Sequence, residues 1–235
     1  MNILLTGASR GIGEATLAAL SNAGHRVVGQ STAGSDTLLA ADFTHPDAPR
    51  RLWEIAFDRL GGRIDVVINN AGIFEGVADN ASDDEWHAAW ARTLTINLQA
   101  SADLCRHALA HFRSSDPSGG RIVNVASRAA YRGDSPMHWH YAASKAGMIA
   151  MTKSIARAYA PENVFAFAVC PGLTATGMVE DYIASRGGEK LLADIPLGRP
   201  ASPDEIAETI RWLACDAPPS ATGAVIDVNG ASYVR

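Results

Sequence analysis

Cysteine is scarce in this 235-residue chain: Cys105, Cys170 and Cys215 are odd in number and far apart, and no Cys-x-x-Cys pair exists. That argues against a disulfide framework or a zinc cluster and fits a reducing, cytoplasmic setting. Long apolar runs are missing too. Met1-Asn2 leads directly into the short Ile3-Leu4-Leu5, without a basic leader, and nothing is long enough for a signal sequence or a membrane span. The expectation is an unprocessed, soluble protein with no membrane partner. Charge of one sign is not concentrated either, since 20 Lys and Arg stand against 25 Asp and Glu with no run of like charges, so no nucleic-acid partner is expected. His107 and His111 have the spacing of a metal pair, but no Glu follows the first His and no third ligand is evident, so no metal is expected. Repeats, linkers and low-complexity segments are absent. The length suits one α/β domain with a substantial core, read as 1–235.

What is present alternates between short apolar runs and helical patterns. Ile3 to Thr6 reads as a buried strand, followed by Gly7-Ala-Ser-Arg-Gly11-Ile-Gly13 and a helix from about Gly13 to Ala23. Glycines let a backbone turn tightly and approach a pyrophosphate, and a following helix N-terminus offers free N–H groups. The Gly7, Gly11, Gly13 spacing differs from Gly-x-Gly-x-x-Gly, so the loop alone reads either as a phosphate loop or as a tight turn. The second strand, Arg26 to Gln30, lacks the acid that would hold a ribose 2′-hydroxyl. Gln30, Ser31 and Thr32 stand there instead, with Arg10 in the glycine loop, a set that suits a 2′-phosphate. Arg10 as an ordinary solvated residue is the alternative.

Only Thr32 to Thr37 separate this strand from the next apolar run, Leu38 to Ala41, whereas parallel crossovers usually need a dozen residues or more. Six extended residues reach about 20 Å, enough to return along a short strand. Asp42 then either accepts from an adenine amino group or caps the following turn. A helix from about Pro46 to Leu60 precedes the apolar strand Ile64 to Ile68 and Asn69-Asn70-Ala71-Gly72, which is either a polar turn or a ligand-side loop at a strand's C-terminal end. Ser82 is the expected N-cap of a long helix reaching Phe112, with Asn97 near its middle as a solvated, helix-bonded or inward-turned amide. The strand Arg121 to Ala126 ends at Ser127. A loop to His140 leads into a helix running to about Tyr159, followed by a strand Val164 to Val169 and Cys170-Pro171-Gly172. Glycines 172, 187 and 188 flank a substrate flap placed at about 173–195. Ser202 caps a helix from Pro203 to Cys215, and Ala224 to Val228 form a last strand.

Tyr141 and Lys145 lie four residues apart, on one helical face. A nearby ammonium favours the phenolate, so Tyr141 is expected to titrate well below the ordinary phenol value of about 10. In this order Thr6-Gly7-x-x-x-Gly11-x-Gly13, Asp42, Asn69-Asn70-Ala71-Gly72, Asn97, Ser127, Tyr141-x-x-x-Lys145, Pro171-Gly172 with Thr174 and Thr176, and Thr222-Gly223 closely resemble the short-chain dehydrogenase/reductase family, along essentially the whole chain. The glycine spacing is that of its short, single-domain branch, and the resemblance to its 3-oxoacyl-(acyl-carrier-protein) reductases is closest in Thr6 to Gly13 and at Thr32.

The resemblance implies a Rossmann-type three-layer α/β/α fold around a mostly seven-stranded parallel sheet, and hydride transfer between a nicotinamide and a small carbonyl or secondary alcohol. It implies Tyr141 as general acid, Ser127 as holder of the substrate oxygen, Lys145 at the nicotinamide ribose, and Asn97 as keeper of a water leading from Lys145 to solvent. The cofactor set it implies is Thr6, Gly7, Ser9, Arg10, Gly11, Ile12 and Gly13 at the phosphates, Ser31, Thr32 and Asp42 at the adenosine, Asn69, Ala71 and Gly72 by the ribose, and Tyr141, Lys145, Pro171, Gly172, Thr174 and Thr176 around the nicotinamide. NADP(H) is favoured, with NAD(H) as the alternative. A homotetramer or homodimer is implied, with helices around 83–112 and 141–159 at one interface.

The Ser127–Tyr141 interval is one residue longer than expected for the ketoacyl reductases, and Met137-His138-Trp139-His140 is bulky. His138, Trp139 and Met178 are therefore candidate substrate residues for a compact or aromatic compound; packing under the loop is the other reading of His138 and Trp139. Functional alternatives are an NAD-linked secondary alcohol dehydrogenase and a non-catalytic dinucleotide sensor.

Overall fold

Ile3, Leu4 and Leu5 are all fully buried, although adjacent strand residues point to opposite faces. Both faces of the sheet must therefore be covered. In the computed structural model, which describes residues 1–176 and 192–235, the strands are β1 (Asn2–Leu5), β2 (Arg26–Ser31), β3 (Leu38–Ala40), β4 (Val66–Asn69), β5 (Gly120–Val125), β6 (Val164–Pro171) and β7 (Val225–Val228). They form one parallel sheet in the order β3-β2-β1-β4-β5-β6-β7.

The helices are α1 (Gly11–Asn22), α2 (Ala48–Arg59), α3 (Asp83–Leu94), α4 (Ala100–Ser114), the single turn α5 (Ala129–Arg132), α6 (Trp139–Tyr159) and α7 (Pro203–Cys215). Alternation along the strands divides the core in two. Leu4, Val67, Ile122 and Ala166 meet Leu52 of α2, Leu104 and Phe112 of α4 and Ile155 of α6 on one face. Ile3, Leu5, Ile68, Val123 and Phe167 meet Leu20 of α1 and Ile206 and Ile210 of α7 on the other. This is the Rossmann-type α/β arrangement.

Local chemistry sets the helix starts. Ser82 and Ser202 each accept from a backbone N–H three residues on, at Glu85 and Glu205, whose carboxylates reach back to the cap residue. The expected helix from Ser82 continues to Ser114, but one π-helical turn over Thr95–Gln99 interrupts it. The crossover from β2 to β3 is a loop, as its length requires: Ser31 Oγ accepts from Gly34 N (3.0 Å), and Ser35 Oγ accepts from Leu38 N (3.1 Å).

Candidate active site

The chain order of the sheet reverses between β1 and β4, and in such sheets ligands bind at that switch point, beyond the strands' C-terminal ends. The two loops there are knitted together. Thr6 Oγ1 accepts from the N–H groups of Asn70 and Ala71 (both 3.0 Å), and Asn70 Nδ2 donates to the carbonyls of Thr6 and Gly7 (both 3.0 Å). Gly7 has φ +66°, and a Cβ on it would sit 2.8 Å from the Ala71 Cα, while one on Gly13 would collide with the Gly7 carbonyl. Bare backbone is thus enforced. Ser9 and Arg10 are exposed, Arg10 is extended at the N-cap of α1, and no side chain among the described residues caps that helix. Its N–H groups, together with those of the loop, make a cradle that fits a dinucleotide's pyrophosphate.

On the adenosine side, Ser31 is buried with its oxygen bonded to Gly34, and Thr32 is exposed. Asp42 Oδ1 accepts from Thr44 N (2.9 Å) and Oγ1 (2.8 Å), capping the turn and holding its carboxyl below the usual range. Asn69 ends β4 and reaches the ligand side with its backbone alone. Its side chain turns into the core and donates to Cys105 Sγ (3.3 Å) and Asn124 Oδ1 (2.8 Å), so it is not offered to a ribose.

Ser127 follows β5, nearly buried; its hydroxyl accepts from Ala129 N (3.1 Å) and neighbours the Tyr141 phenol on α6. Lys145 Nζ donates to the Val125 carbonyl (2.8 Å) and lies 5.9 Å from the centre of the Tyr141 ring. The expected lowering of Tyr141 is reversed. Burial pushes the phenol up to about 12, only partly offset by the Ser127 hydrogen bond, and burial takes Lys145 down to about 8. Desolvation outweighs the ion-pair effect here because the ammonium bonds a carbonyl rather than the phenol oxygen. The phenol thus stays protonated at neutral pH, and the lysine titrates closer to neutrality than an ordinary one.

A Cβ on Gly72 would lie 3.3 Å from Asn97 Oδ1 and 3.4 Å from Lys145 Nζ, so the loop after β4 borders both. Asn97 sits in the π-helical turn, fully buried. Its Oδ1 accepts from Ile73 N (2.8 Å), and its Nδ2 donates to Ile73 O (3.0 Å) and Ser144 Oγ (3.2 Å). Ser144 donates onward to the Tyr141 carbonyl (2.7 Å). Asn97 therefore ties the β4 loop to α6 through its side chain.

Pro171 ends β6, and Gly172 backs onto Asn229, where a Cβ would come within 2.7 Å of the Asn229 Cα. Thr174 is buried and donates to the Gly172 carbonyl (3.2 Å), so its hydroxyl is used within its own loop. The Thr176 methyl meets Gly11 of the glycine loop instead of extending away from it: a Cβ on Gly11 would be 2.9 Å from it.

Beside Tyr141 the sequence did not single out Phe74. Its ring stands edge-on to Tyr141 (centroids 4.8 Å apart, 82°) and stacks flat on His138 (3.9 Å, 4°), while Ser135 Oγ lies 2.6 Å from His138 Nδ1. Its position two residues after Gly72, on a loop already assigned to the ligand side, was the available signal. Trp139 is turned away: it is half exposed and stands edge-on to Trp86 at 5.4 Å. Met178 and most of the 173–195 flap lie outside the described residues. Far from the site, His107 stacks on Trp53, and His111 meets Trp53 and Phe57 edge-on.

The sequence profile of a family described as enoyl-(acyl carrier protein) reductase matches residues 7–231. A 3-oxoacyl-[acyl-carrier-protein] reductase of Synechocystis sp. is 37% identical, over 97% of this chain and 94% of its own. An acetoacetyl-CoA reductase of Shinella zoogloeoides is 32% identical (98% and 97%), and a cis-4-hydroxycyclohexanecarboxylate dehydrogenase of Sinomonas cyclohexanicum is 35% identical (97% and 94%). With the parallel sheet and the glycine cradle at its switch point, these matches place the chain in the short-chain dehydrogenase/reductase family, oxidoreductases that use a nicotinamide cofactor on the carbonyl or alcohol group of a small molecule.

Proposed function

We propose that this protein reduces a carbonyl on a compact cyclic or aromatic skeleton, with NADP(H) as its preferred cofactor and Tyr141 as the proton donor. The observation that carries the reading is the neighbouring pair of hydroxyls, Ser127 just beyond the C-terminal end of β5 and Tyr141 on α6. Two donors directed at one oxygen suit a carbonyl, and the bound nicotinamide supplies hydride to its carbon. Ser127 holds the oxygen, and Tyr141 gives it a proton. Lys145, bordering Gly72, holds the ribose and returns a proton to the phenol; its lowered pKa supports that traffic near neutral pH. Asn97 keeps the β4 loop and α6 in register. In the other direction the same groups serve oxidation of a secondary alcohol, the NAD-linked alternative. A silent sensor is the less favoured reading, since it has no use for the Ser127–Tyr141 pair.

Arg10 and Thr32 support NADP(H). Both are exposed beside the cleft, a guanidinium and a hydroxyl where an NAD site would carry a carboxylate. For the substrate, the flat Phe74–His138 stack beside Tyr141 supports a ring-shaped skeleton. The name of the Sinomonas relative, a dehydrogenase of a cyclohexane alcohol, agrees with this. An apolar groove between α4 and α6, lined in part by Leu109, Met151 and Tyr159, supports pairing of copies into a homodimer or homotetramer.

The test is a panel of cyclic, aromatic and linear ketones with NADPH and NADH. Turnover of ring ketones with NADPH is expected. Binding of the cofactor without reduction of any ketone would favour the sensor reading.

A further inference from the structure

We infer that Gln30 is a positioning residue for the dinucleotide, its side-chain amide setting the glycine loop against the adenosine wall. The inference rests on the dinucleotide reading of that cleft. Gln30 lies on β2, 2% exposed. Its Oε1 accepts from the Gly7 N–H (2.9 Å), its Nε2 donates to the Ala41 carbonyl (2.7 Å), and its backbone carbonyl accepts from Ala8 N (2.8 Å). Gly7 opens the phosphate cradle with φ +66°, and Ala41 leads from β3 into Asp42. One amide therefore joins the glycine loop to the chain leaving β3.

An acceptor and a donor on one side chain are both needed. A carboxylate in this place would hold Gly7 but turn a lone pair on the Ala41 carbonyl, and an apolar chain of equal length would leave both backbone groups without a partner. This protein has particular need of the tie. Its β2–β3 crossover has no helix to buttress the outer strand, which is three residues long and lies at the edge of the sheet. Beyond its ladder and the packing of Leu38 and Leu39 on the core, β3 is steadied by the short loop's own hydrogen bonds and, at the residue after it, by Gln30. Both features that Gln30 joins serve the part of the ligand common to NADP(H) and NAD(H), so its loss should weaken the two alike.

The test compares Gln30→Met and Gln30→Glu with wild type by fluorescence titration with NADPH and NADH, alongside thermal melting without cofactor. Gln30→Met should raise both Kd values about tenfold, with their ratio unchanged. Gln30→Glu, which keeps the tie to Gly7, should raise both about threefold. For any ketone that is turned over, KM for the cofactor should rise while kcat at saturation stays within about twofold. A folded Gln30→Met with wild-type Kd values overturns the inference even if it melts earlier, because the amide would then serve the fold alone. Weakening of NADPH only also overturns it, by placing Gln30 at the 2′-phosphate. If Gln30→Met does not fold, Gln30→Glu decides by the same criteria. Wild-type protein that binds neither dinucleotide would instead refute the dinucleotide reading itself, and the inference with it.

Discussion

Lys145 Nζ lies 5.9 Å from the centre of the Tyr141 ring and gives its hydrogen bond to the Val125 carbonyl, 2.8 Å away. The two groups are thus neighbours without being an ion pair. Burial drives their pKa values apart, the phenol up to about 12 and the ammonium down to about 8. Both neutral forms are favoured, which makes the site costly to fold and ready to move protons.

That cost has a sign and a pH window. Lys145 titrates at about 8 in the folded protein against an ordinary 10.5, so between those values the unfolded chain binds more protons and stability rises with pH. Below pH 8 the full penalty is present, about 3 kcal/mol at 1.36 kcal/mol per pH unit. Lys145→Met should therefore be more stable than wild type at pH 7 by up to that amount, with the gap closing between pH 8 and 10.5. Tyr141 acts only above pH 10, where its raised pKa makes stability fall as pH rises. Urea unfolding at a series of pH values reads this directly, and a gap independent of pH would rule it out.

Arg10→Ala should separate the two cofactors. Losing a guanidinium bond to a 2′-phosphate should raise the Kd for NADPH about tenfold and leave that for NADH within about twofold. Added salt should shrink the difference in wild type and not in the variant. Equal effects on both cofactors would return Arg10 to the role of a solvated loop residue.

Phe74→Ala should change the substrate profile more than the overall rate. An aromatic contact contributes about 0.5–1.5 kcal/mol beyond buried area, so kcat/KM for a ring ketone should fall about tenfold relative to a linear one. Parallel losses on both would remove Phe74 from the substrate wall.

The sheet was legible because its signals are local. Apolar runs such as Ile64 to Ile68, punctuated by glycines and capped helices at Ser82 and Ser202, gave the element order to within a few residues. The site was legible as a set of residues but less so as chemistry. Tyr141 and Lys145 do share one helix, yet their titration depends on desolvation, which spacing along a helix does not encode. Asn69 reads as polar and ligand-side, but alternation on β4 turns its amide into the core towards Asn124. Trp139 and His138 are adjacent in sequence, and the start of α6 sends one to the surface and the other under Phe74. Phe74 and Gln30 have partners 64 and 23 residues away, at His138 and Gly7, which no local pattern names, although the loop position of Phe74 was a hint.

The central claim is that Tyr141 protonates the substrate oxygen, and Tyr141→Phe tests it with least ambiguity. Steady-state reduction of the best ring ketone by NADPH should be measured beside the variant's Kd for NADPH. The expected result is an unchanged Kd with turnover reduced at least about a hundredfold, the lower end of what a positioned general acid contributes. A variant that keeps wild-type kcat would contradict the account.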